Sequence, residues 1–335
     1  MNKVENAATD NVKYAEDLYL ESKEELTKQY QAITRVLIND VNAFFADYDL
    51  SDPYDMYKIL SSDELKQFRQ TIVKTYELAR SNELLKQLKT YSSKKRIQRI
   101  ESLLLEFAIK LDELYGETED LISEKMAEIY QETYYKSTYD LQQALQIGFS
   151  FDILNKQAIN KAMARRWAGS NYSDRIWTNK SKLIDVIKIK IPQAIVMGEN
   201  PKKVAKVISK EMGTALHNAE RLARTEYLWI ENEAAYDSLK DSGVVDKYQY
   251  LATLDNRTSE ICQEMDGKIF ALNKKQSGIN YPPLHPNCRS TVVPYLDDEV
   301  IGTRIARSRT GKSYYVQGNM TYKEWAKKYE VDSRR

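Results

Sequence analysis

The fold class is decided by residues 97–114, which have the sequence IQRIESLLLEFAIKLDEL. Apolar side chains recur three and four positions apart through this stretch, and that spacing places them on one face of an α-helix. The recurring residues are Ile97, Ile100, Leu104, Phe107, Leu111 and Leu114. A seam of this kind is typical of a long helix that packs into the core of a bundle, with a partner-binding helix as the less common alternative.

Helical features continue on the N-terminal side of this seam. The first 147 residues contain one glycine, Gly116, and one proline, Pro53, so few residues break a helix there. A second apolar stripe with helical spacing comprises Tyr30, Ile33, Leu37, Val41 and Phe44. We predict a helical domain over residues 1–150. A helix over 118–143 is rich in tyrosine, and we expect its face to suit an interface with a protein partner. Its tyrosines are Tyr130, Tyr134, Tyr135 and Tyr139.

Helical patterns also fill residues 151–243, with turn-rich breaks near Gly148 and around 167–177. We predict helices over 180–197, 201–212 and 214–240, the second of them ended by Gly213. These residues form the second predicted segment, a basic helical one.

The hydrophobic period changes after Gly243. Strand-like alternation predicts short strands over 245–254, 268–272 and 290–295, with a short helix between Thr258 and Met265. We therefore predict a small α+β module over 244–300, followed by a basic C-terminal tail with a short helix over 301–335. The predicted fold class is mainly α: a long helical N-terminal region followed by a small α+β module near the C-terminus.

Composition excludes several classes of protein. The chain has 335 residues, 42% hydrophobic and 30% charged, which is ordinary for a soluble globular protein. No apolar run approaches the roughly 20 residues of a membrane span, and the first residues lack the apolar core of a signal peptide. We expect a cytosol-like compartment, where two cysteines do not make a disulfide framework.

Charge is distributed unevenly along the chain despite a net charge of +1. Residues 1–50 contain five Lys and Arg against ten Asp and Glu, whereas 156–213 contain thirteen against four and 301–335 nine against three. Such basic segments can neutralise the phosphates of a nucleic acid, and they are equally typical of solvated helix faces.

Both cysteines and one of the two histidines lie between positions 262 and 288. Two residues separate His285 from Cys288, a spacing at which one tight loop presents two ligands to a tetrahedral ion, and Cys262 offers a third ligand. The candidate metal is zinc. Asp255 is the best candidate for a fourth ligand, followed by Glu264 and Asp266.

Residue spacing alone leaves three interpretations of this cluster open. They are a metal site, buried thiols beside a hydrogen-bonded His285, and a reversible disulfide. An open fourth position is more typical of catalytic than of structural zinc, but the ligand order differs from that of the zinc deaminases. The other histidine, His217, lies in a helical stretch where a surface role is expected, and the sequence contains no phosphate loop or hydrolase motif.

Four motifs in a fixed order resemble the head morphogenesis domain of the phage Mu protein F-like family. They are ERLARTE at 220–226, LDNRTSEIC at 254–262, MDGKIF at 265–270 and PPLHPNCR at 282–289. Two further stretches are similar to minor head proteins of tailed phages that infect Gram-positive bacteria. These are NYSDRIW at 171–177 and YYVQGNMTYKEW at 314–325.

The resemblance implies a minor capsid protein of the virion interior, made in the host cytoplasm and acting in head morphogenesis or genome ejection without catalysis. Its expected partners are the phage portal protein, packaged double-stranded DNA and a scaffold or major capsid protein. Family members often carry a second cysteine at the end of the last motif, where this chain has Ser290. In such a protein we expect Arg224, Asp255, Arg257 and Arg289 to form fold-fixing ion pairs and turns, with Asp255 capping the helix near Thr258.

We expect DNA contacts from basic residues of the 151–243 segment. The candidates are Arg165, Arg166, Lys202, Lys203 and Lys206. The alternative function is a metal-dependent enzyme acting on nucleic acid or cell wall, with Cys262, His285 and Cys288 as ligands. Glu264 or Asp255 would then be the base.

Overall fold

The computed structural model describes residues 3–296, 303–307, 312–317 and 320–329. Within these residues the chain is mainly α-helical, with short antiparallel strands towards the C-terminus, which confirms the predicted fold class. The helices are α1 (Lys3–Asp47), α2 (Ser62–Tyr76), α3 (Asn82–Ser93), α4 (Arg99–Leu145), α5 (Lys156–Met163), α6 (Tyr172–Val196), α7 (Pro201–Ser242), α8 (Glu260–Met265) and α9 (Tyr322–Lys328). The strands are β1 (Lys247–Leu251), β2 (Ile269–Ala271), β3 (Thr291–Pro294), β4 (Thr303–Arg307) and β5 (Ser313–Gln317).

The chain divides into two compact units. Unit 1 comprises Met1–Glu21, Ile122–Tyr172 and Arg221–Arg335, and unit 2 comprises Ser22–Leu121 and Ser173–Glu220. Helices α1, α4 and α7 each contribute residues to both units. The division of the sequence into four segments stays a prediction.

The apolar seam of residues 97–114 is part of the core of unit 2. Its predicted members are buried except Leu104, which is half-buried while the neighbouring Leu103 is buried instead. The stripe of α1 behaves in the same way, with Ile33 half-buried and the other four members buried. Helical spacing therefore identified the core face of both helices.

A buried ion pair is also part of unit 2. The ammonium of Lys180 in α6 lies 2.6 Å from a carboxylate oxygen of Asp112 in α4, and both side chains are at most 2% exposed. Lys180 also donates to the hydroxyl of Ser81 at 2.7 Å, and the other oxygen of Asp112 accepts the backbone N–H of Arg80 at 2.7 Å. These bonds compensate for the removal of both charges from water.

Helix α7 runs without interruption from Pro201 to Ser242, so the predicted end at Gly213 is wrong. A glycine that ends a helix usually has a left-handed conformation with positive φ. Gly198 after α6 has φ 70°, whereas Gly213 is not among the glycines with positive φ. A buried stripe continues across Gly213 and outweighs the cost of about 1 kcal/mol for glycine in a helix. Its members are Val204, Ile208, Met212, Ala215, Ala219 and Ala223.

The tyrosines of α4 are hydrogen-bonded inside unit 1. Tyr130 donates to Asp237 at 2.6 Å and Tyr134 donates to Asp241 at 2.8 Å, and both tyrosine side chains are buried against α7. The expected partner-facing role is therefore wrong for these two tyrosines, whereas Tyr139 is 61% exposed. A phenol ring can be buried when its hydroxyl finds an acceptor, and the carboxylates of α7 supply it.

A three-stranded antiparallel sheet forms the centre of the α+β module in unit 1. Its order is β2-β1-β3, with Tyr248 of β1 opposite Phe270 of β2 and Pro294 of β3. The three strands and the short helix α8 fall within the predicted ranges, which confirms those predictions. Side chains of the sheet join those of α4 and α7 in one apolar cluster, which comprises Leu141, Leu239, Val245, Tyr248, Leu272, Tyr281 and Val292.

Two strands near the C-terminus, β4 and β5, were not predicted. They pair antiparallel, with Ile305 opposite Tyr315, and α9 follows them as the expected short helix. The inward positions of β4 include Arg304, which is buried, so the strand shows no apolar alternation in its sequence. None of the helices in the described part of the chain is apolar over enough of its length to cross a membrane.

Candidate functional site in the α+β module

The turn at residues 285–288 brings two side chains of the last motif to one place. Asn287 has φ 59°, a left-handed conformation that asparagine tolerates better than most residues, and the N–H of Cys288 donates to the carbonyl of His285 at 3.2 Å. The N–H of Asn287 donates to the hydroxyl of Thr225 on α7 at 3.1 Å. The turn is therefore fixed both internally and to a long helix.

The structure brings together the three soft ligands that the sequence identified. The sulfur of Cys262 on α8 lies 3.7 Å from the sulfur of Cys288 and 3.3 Å from Nε2 of His285. Both sulfurs are buried and His285 is half-buried. All three ligand atoms lie within 4.8 Å of one another, and Asp255 is not part of this group.

Hydroxyl groups surround the cluster. Tyr250 of β1 donates to the sulfur of Cys262 at 3.3 Å, and the hydroxyl of Ser259 lies 2.7 Å from Nε2 of His285. Ser290, two residues after Cys288, is only 2% exposed, and its side chain contributes to lowering the pKa of Cys262. Sequence analysis missed Tyr250 and Ser259, and the signal available for Ser259 was its position three residues before Cys262.

The pKa values of the two cysteines are shifted in opposite directions by the hydrogen bonds of the cluster. The thiol of Cys288 donates to Cys262, and this bond together with that from His285 outweighs burial and holds the pKa of Cys262 well below its usual range. The same contact with Cys262, and then burial, raises the pKa of Cys288. The Cys262 contact also raises the pKa of His285 against the effect of burial. A thiolate at Cys262 beside a thiol at Cys288 is the resulting arrangement.

Asp255 and Arg289 form a buried, bidentate ion pair. The guanidinium donates to both carboxylate oxygens, at 2.5 and 2.7 Å, and the side chains are 10% and 3% exposed. Burial opposes ionisation of Asp255, but the bonds from Arg289 and the N–H of Arg257 outweigh it and lower the pKa of the carboxyl. Both oxygens are thus held by the arginine that follows Cys288, as a fold-fixing pair requires.

Asp255 shapes the turn before α8 and does not cap that helix. One of its oxygens accepts the N–H of Arg257 at 2.9 Å and the hydroxyl of Thr258 at 3.2 Å, the pattern of an Asx turn. The N-cap of α8 is Ser259, whose side chain makes no capping bond. The predicted capping role is therefore wrong, because an N-cap directly precedes its helix and α8 begins at Glu260.

Asp266, a reserve candidate for the fourth ligand, belongs to a second buried ion pair. Its carboxylate accepts two bonds from Arg304 of β4, at 3.0 and 3.1 Å, and the N–H groups of Ala252 and Tyr322 at 2.8 and 2.6 Å. Arg304 also donates to the carbonyl of Met320 at 2.9 Å. This group connects the end of β1 to β4 and α9, and an Asp-Gly turn was the only sign of it in the sequence.

The other two arginines of the motifs differ in their surroundings. The guanidinium of Arg224 on α7 donates to Glu16 of α1 at 3.2 Å and lies over the ring of Tyr19 at 5.4 Å. Arg257 is 66% exposed and 3.7 Å from Asp255, which makes it a weak pair. Glu264, the alternative base, is exposed.

The cavity that contacts Cys288 is small. It has a volume of about 10 Å³ and is lined by residues of α1 and α7 together with Arg289. A cavity of that size has room for about one water molecule. This cavity is therefore too small for a substrate.

The candidate DNA contacts lie in two places. Arg165 and Arg166 belong to unit 1, where Arg165 pairs with Glu233 at 3.0 Å and Asp237 at 2.7 Å, and Arg166 is exposed. The three lysines lie in the first two turns of α7 in unit 2, where all are exposed and Lys203 pairs with Glu199 at 2.6 Å. They are Lys202, Lys203 and Lys206.

Comparison with known proteins gives one family and two curated relatives. The chain is similar to an NAD(+)–arginine ADP-ribosyltransferase, EFV, of Enterococcus faecalis, with 23% identity over 70% of this chain and 50% of that protein. It is also similar to an uncharacterized protein of Haemophilus influenzae, with 30% identity over 36% of this chain and 26% of that protein. The chain thus spans half, or less, of the length of these relatives, and no solved structure matches it significantly.

The family match covers the region that contains the site. Residues 185–293 match the family model of Phage Mu protein F like proteins, and the stretch includes all four motifs and all three soft ligands. The Gram-positive phage subfamily stays a prediction. Over residues 185–293 the chain therefore matches the phage Mu protein F-like family, as the four motifs predicted.

Proposed function

We propose that the chain is a minor head protein inside the phage capsid, where it contacts the portal protein and packaged DNA and acts in head morphogenesis and DNA delivery. This proposal rests on the ion pairs that the charged motif residues make within the protein. Asp255 and Arg289 are bonded to each other in the interior of the module, and Arg224 is bonded to Glu16. Because these motif residues are bonded to partners within the protein, they suit a rigid, structural protein better than an enzyme active site.

The alternative, a metal-dependent enzyme, has less support from the same geometry. A general base needs a carboxylate within reach of a bound water, but both oxygens of Asp255 are held by Arg289. Glu264 is exposed on α8. The transferase activity named for the Enterococcus relative is not proposed for this chain, because the match covers 50% of that protein at 23% identity.

A comparison of two histidine variants in the phage that carries this gene tests the proposal. His285 lies in the module, whereas His217 is exposed on α7 and serves as the matched control. We expect His285→Ala to lower the number of assembled, DNA-filled heads counted by electron microscopy, and His217→Ala to leave it unchanged. Normal numbers of heads that also deliver DNA normally would contradict the proposal.

The DNA contact is proposed on the first turns of α7. Lys202, Lys203 and Lys206 are exposed there, and Lys210 continues the row one turn further along the helix. Arg165 is less suited, because two carboxylates already hold it. Each lysine that neutralises a phosphate contributes about 0.9 to the slope of log affinity against log salt concentration.

Replacing the three lysines with glutamine tests this surface. We expect the salt slope of double-stranded DNA binding by the purified chain to fall by roughly 2 to 3. The control is a triple glutamine variant with the same loss of charge on α2 and α3, at the exposed Lys66, Lys86 and Lys89. An equal fall in both variants, or an unchanged slope in the first, would refute a specific contact at α7.

A further inference from the structure

We propose that Cys262, His285 and Cys288 bind a zinc ion with three protein ligands, and that Ser290 occupies the place of the fourth. This inference goes beyond the proposed function and does not depend on it. It rests on the distances between the three ligand atoms, on the hydrogen bond that orients the histidine, and on the position of Ser290.

The distances agree with the edges of a zinc tetrahedron. Two thiolates at about 2.3 Å from a tetrahedral zinc ion are about 3.8 Å apart, and a thiolate and an imidazole nitrogen are about 3.6 Å apart. The observed separations are 3.7 Å between the sulfurs of Cys262 and Cys288 and 3.3 Å between Cys262 and Nε2 of His285. Two of the three edges therefore need shifts of only a few tenths of an ångström, and the third, between Cys288 and His285, is no longer than 4.8 Å.

The histidine is oriented as a zinc ligand. Its Nδ1–H donates to the carbonyl of Pro286 at 2.8 Å, so Nε2, which lies 3.3 Å from the sulfur of Cys262, is the nitrogen that gives up its proton when a metal binds. Metal-binding histidines commonly have their second nitrogen fixed in this way. The backbone of the turn at 285–288 therefore selects the tautomer that binds metal.

The sulfur of Cys262 accepts a hydrogen bond that suits a thiolate ligand. Tyr250 donates to it at 3.3 Å from the sheet, and Ser259 at the start of α8 lies beside Nε2 of His285 at 2.7 Å. Bonds of this kind stabilise the deprotonated sulfur that zinc requires. An ion held here would join α8 to the loop before β3, two elements that are more than 20 residues apart in sequence.

Ser290 explains why the site has three ligands. It is 2% exposed and follows Cys288 by two residues. A cysteine at this position would place a third sulfur beside the other two, whereas a serine hydroxyl is a weaker zinc ligand. The fourth position is then left for a water molecule or the serine hydroxyl, and binding is weaker than at a closed site.

Metal content of the purified full-length chain tests the site. The reduced protein is treated with EDTA, loaded with zinc sulfate, freed of excess metal and analysed by mass spectrometry of the metal. We expect about one zinc per chain for the unaltered protein and for His217→Ala, and less than about 0.1 for His285→Ala. Less than about 0.1 zinc in the unaltered chain, or equal zinc in both histidine variants, would overturn the proposal.

A gain of affinity tests the role of Ser290 and does not depend on a destabilised variant. We expect Ser290→Cys to bind zinc at least about tenfold more tightly in competition with a chromophoric chelator, which is about 1.4 kcal/mol. Cobalt(II) bound to that variant should show a stronger sulfur-to-cobalt charge-transfer absorption than cobalt(II) bound to the unaltered chain. Unchanged affinity and absorption would overturn the assignment of Ser290 to the fourth position.

These measurements are independent of phage assembly. Zinc binding by the isolated chain, together with normal numbers of heads that also deliver DNA normally in the His285→Ala phage, would contradict the proposed structural function while it supports the metal site. Absence of zinc binding, together with fewer assembled heads in the His285→Ala phage, would support the head-protein function and overturn the metal site.

Discussion

Replacement of Arg289 by methionine tests whether the motif residues hold the module together. The arginine is 10% exposed and makes two hydrogen bonds to Asp255, which is 3% exposed. Removing one member of a buried pair leaves the other charge without compensation and costs about 3 to 5 kcal/mol. The shift in melting temperature per kcal/mol depends on the size of the unfolding unit, and for unit 1 this loss lowers the melting temperature by roughly 10 °C.

The assay is hydrogen exchange of backbone amides in β1 and β3, read by mass spectrometry, because it reports the local stability of the sheet. Arg257→Met is the matched control, since Arg257 lies 3.7 Å from the same carboxylate but is 66% exposed. A surface pair of that kind contributes about 0 to 1 kcal/mol. Equal losses in the two variants, or a loss below about 1 kcal/mol for Arg289→Met, would refute the structural role.

A double variant separates the pair from the packing of its atoms. Asp255→Leu with Arg289→Met removes both charges, and we expect it to recover most of the stability lost in Arg289→Met. Failure to recover would show that the charges themselves are needed at this site.

Three further predictions concern other buried charges. Lys180→Met leaves Asp112 uncompensated in the core of unit 2 and should cost about 3 to 5 kcal/mol in chemical denaturation, whereas Lys182→Met, at an exposed position of the same helix, should cost less than about 0.5. Glu231 is fully buried, and burial raises its pKa to about 8, so its contribution to stability is lost as the pH rises from about 4 to 8. Glu231→Gln should therefore stabilise the protein at pH 7 by roughly 2 to 3 kcal/mol. A loss of stability in this variant would contradict the prediction. The pKa of Asp255 is lowered in the fold, so its contribution to stability is present above about pH 4 and is lost as the pH falls below that value. Asp255→Asn should therefore weaken the fall of the free energy of unfolding between about pH 5 and 2, measured by urea titration. An unchanged pH dependence would count against the prediction.

Helix faces and short strands could be predicted because they depend on local spacing. The stripe from Ile97 to Leu114 and the three strands after Gly243 follow from periods of about 3.6 and 2. The end predicted at Gly213 failed for a non-local reason. Burial of the apolar stripe on both sides of this glycine outweighs its weak helix propensity, and propensity alone does not include that term.

The β4–β5 pair could not be predicted because one inward position of its short first strand is charged. Arg304 occupies a core position of β4 and is compensated by Asp266, which lies 38 residues earlier in sequence. A pattern of apolar and polar residues cannot show that an arginine is buried when its partner is distant.

The candidate site was predicted more completely than its surroundings. Cys262, His285 and Cys288 were identified from the rarity of their residue types and from the spacing in the last motif, and the structure brings all three together. The sequence did not separate ligands from ion pairs, however. Asp255 was the best candidate for a fourth ligand on residue type, but its partner Arg289 is revealed only by the fold.

Quantitative mass spectrometry of purified, DNA-filled particles of the phage that carries this gene tests the central claim most directly. A minor head protein should be present in a few copies per particle, resist removal by external protease, and remain with the portal when heads are dissociated. Absence of the chain from DNA-filled particles, together with its recovery as a free protein in the host lysate, would contradict the account.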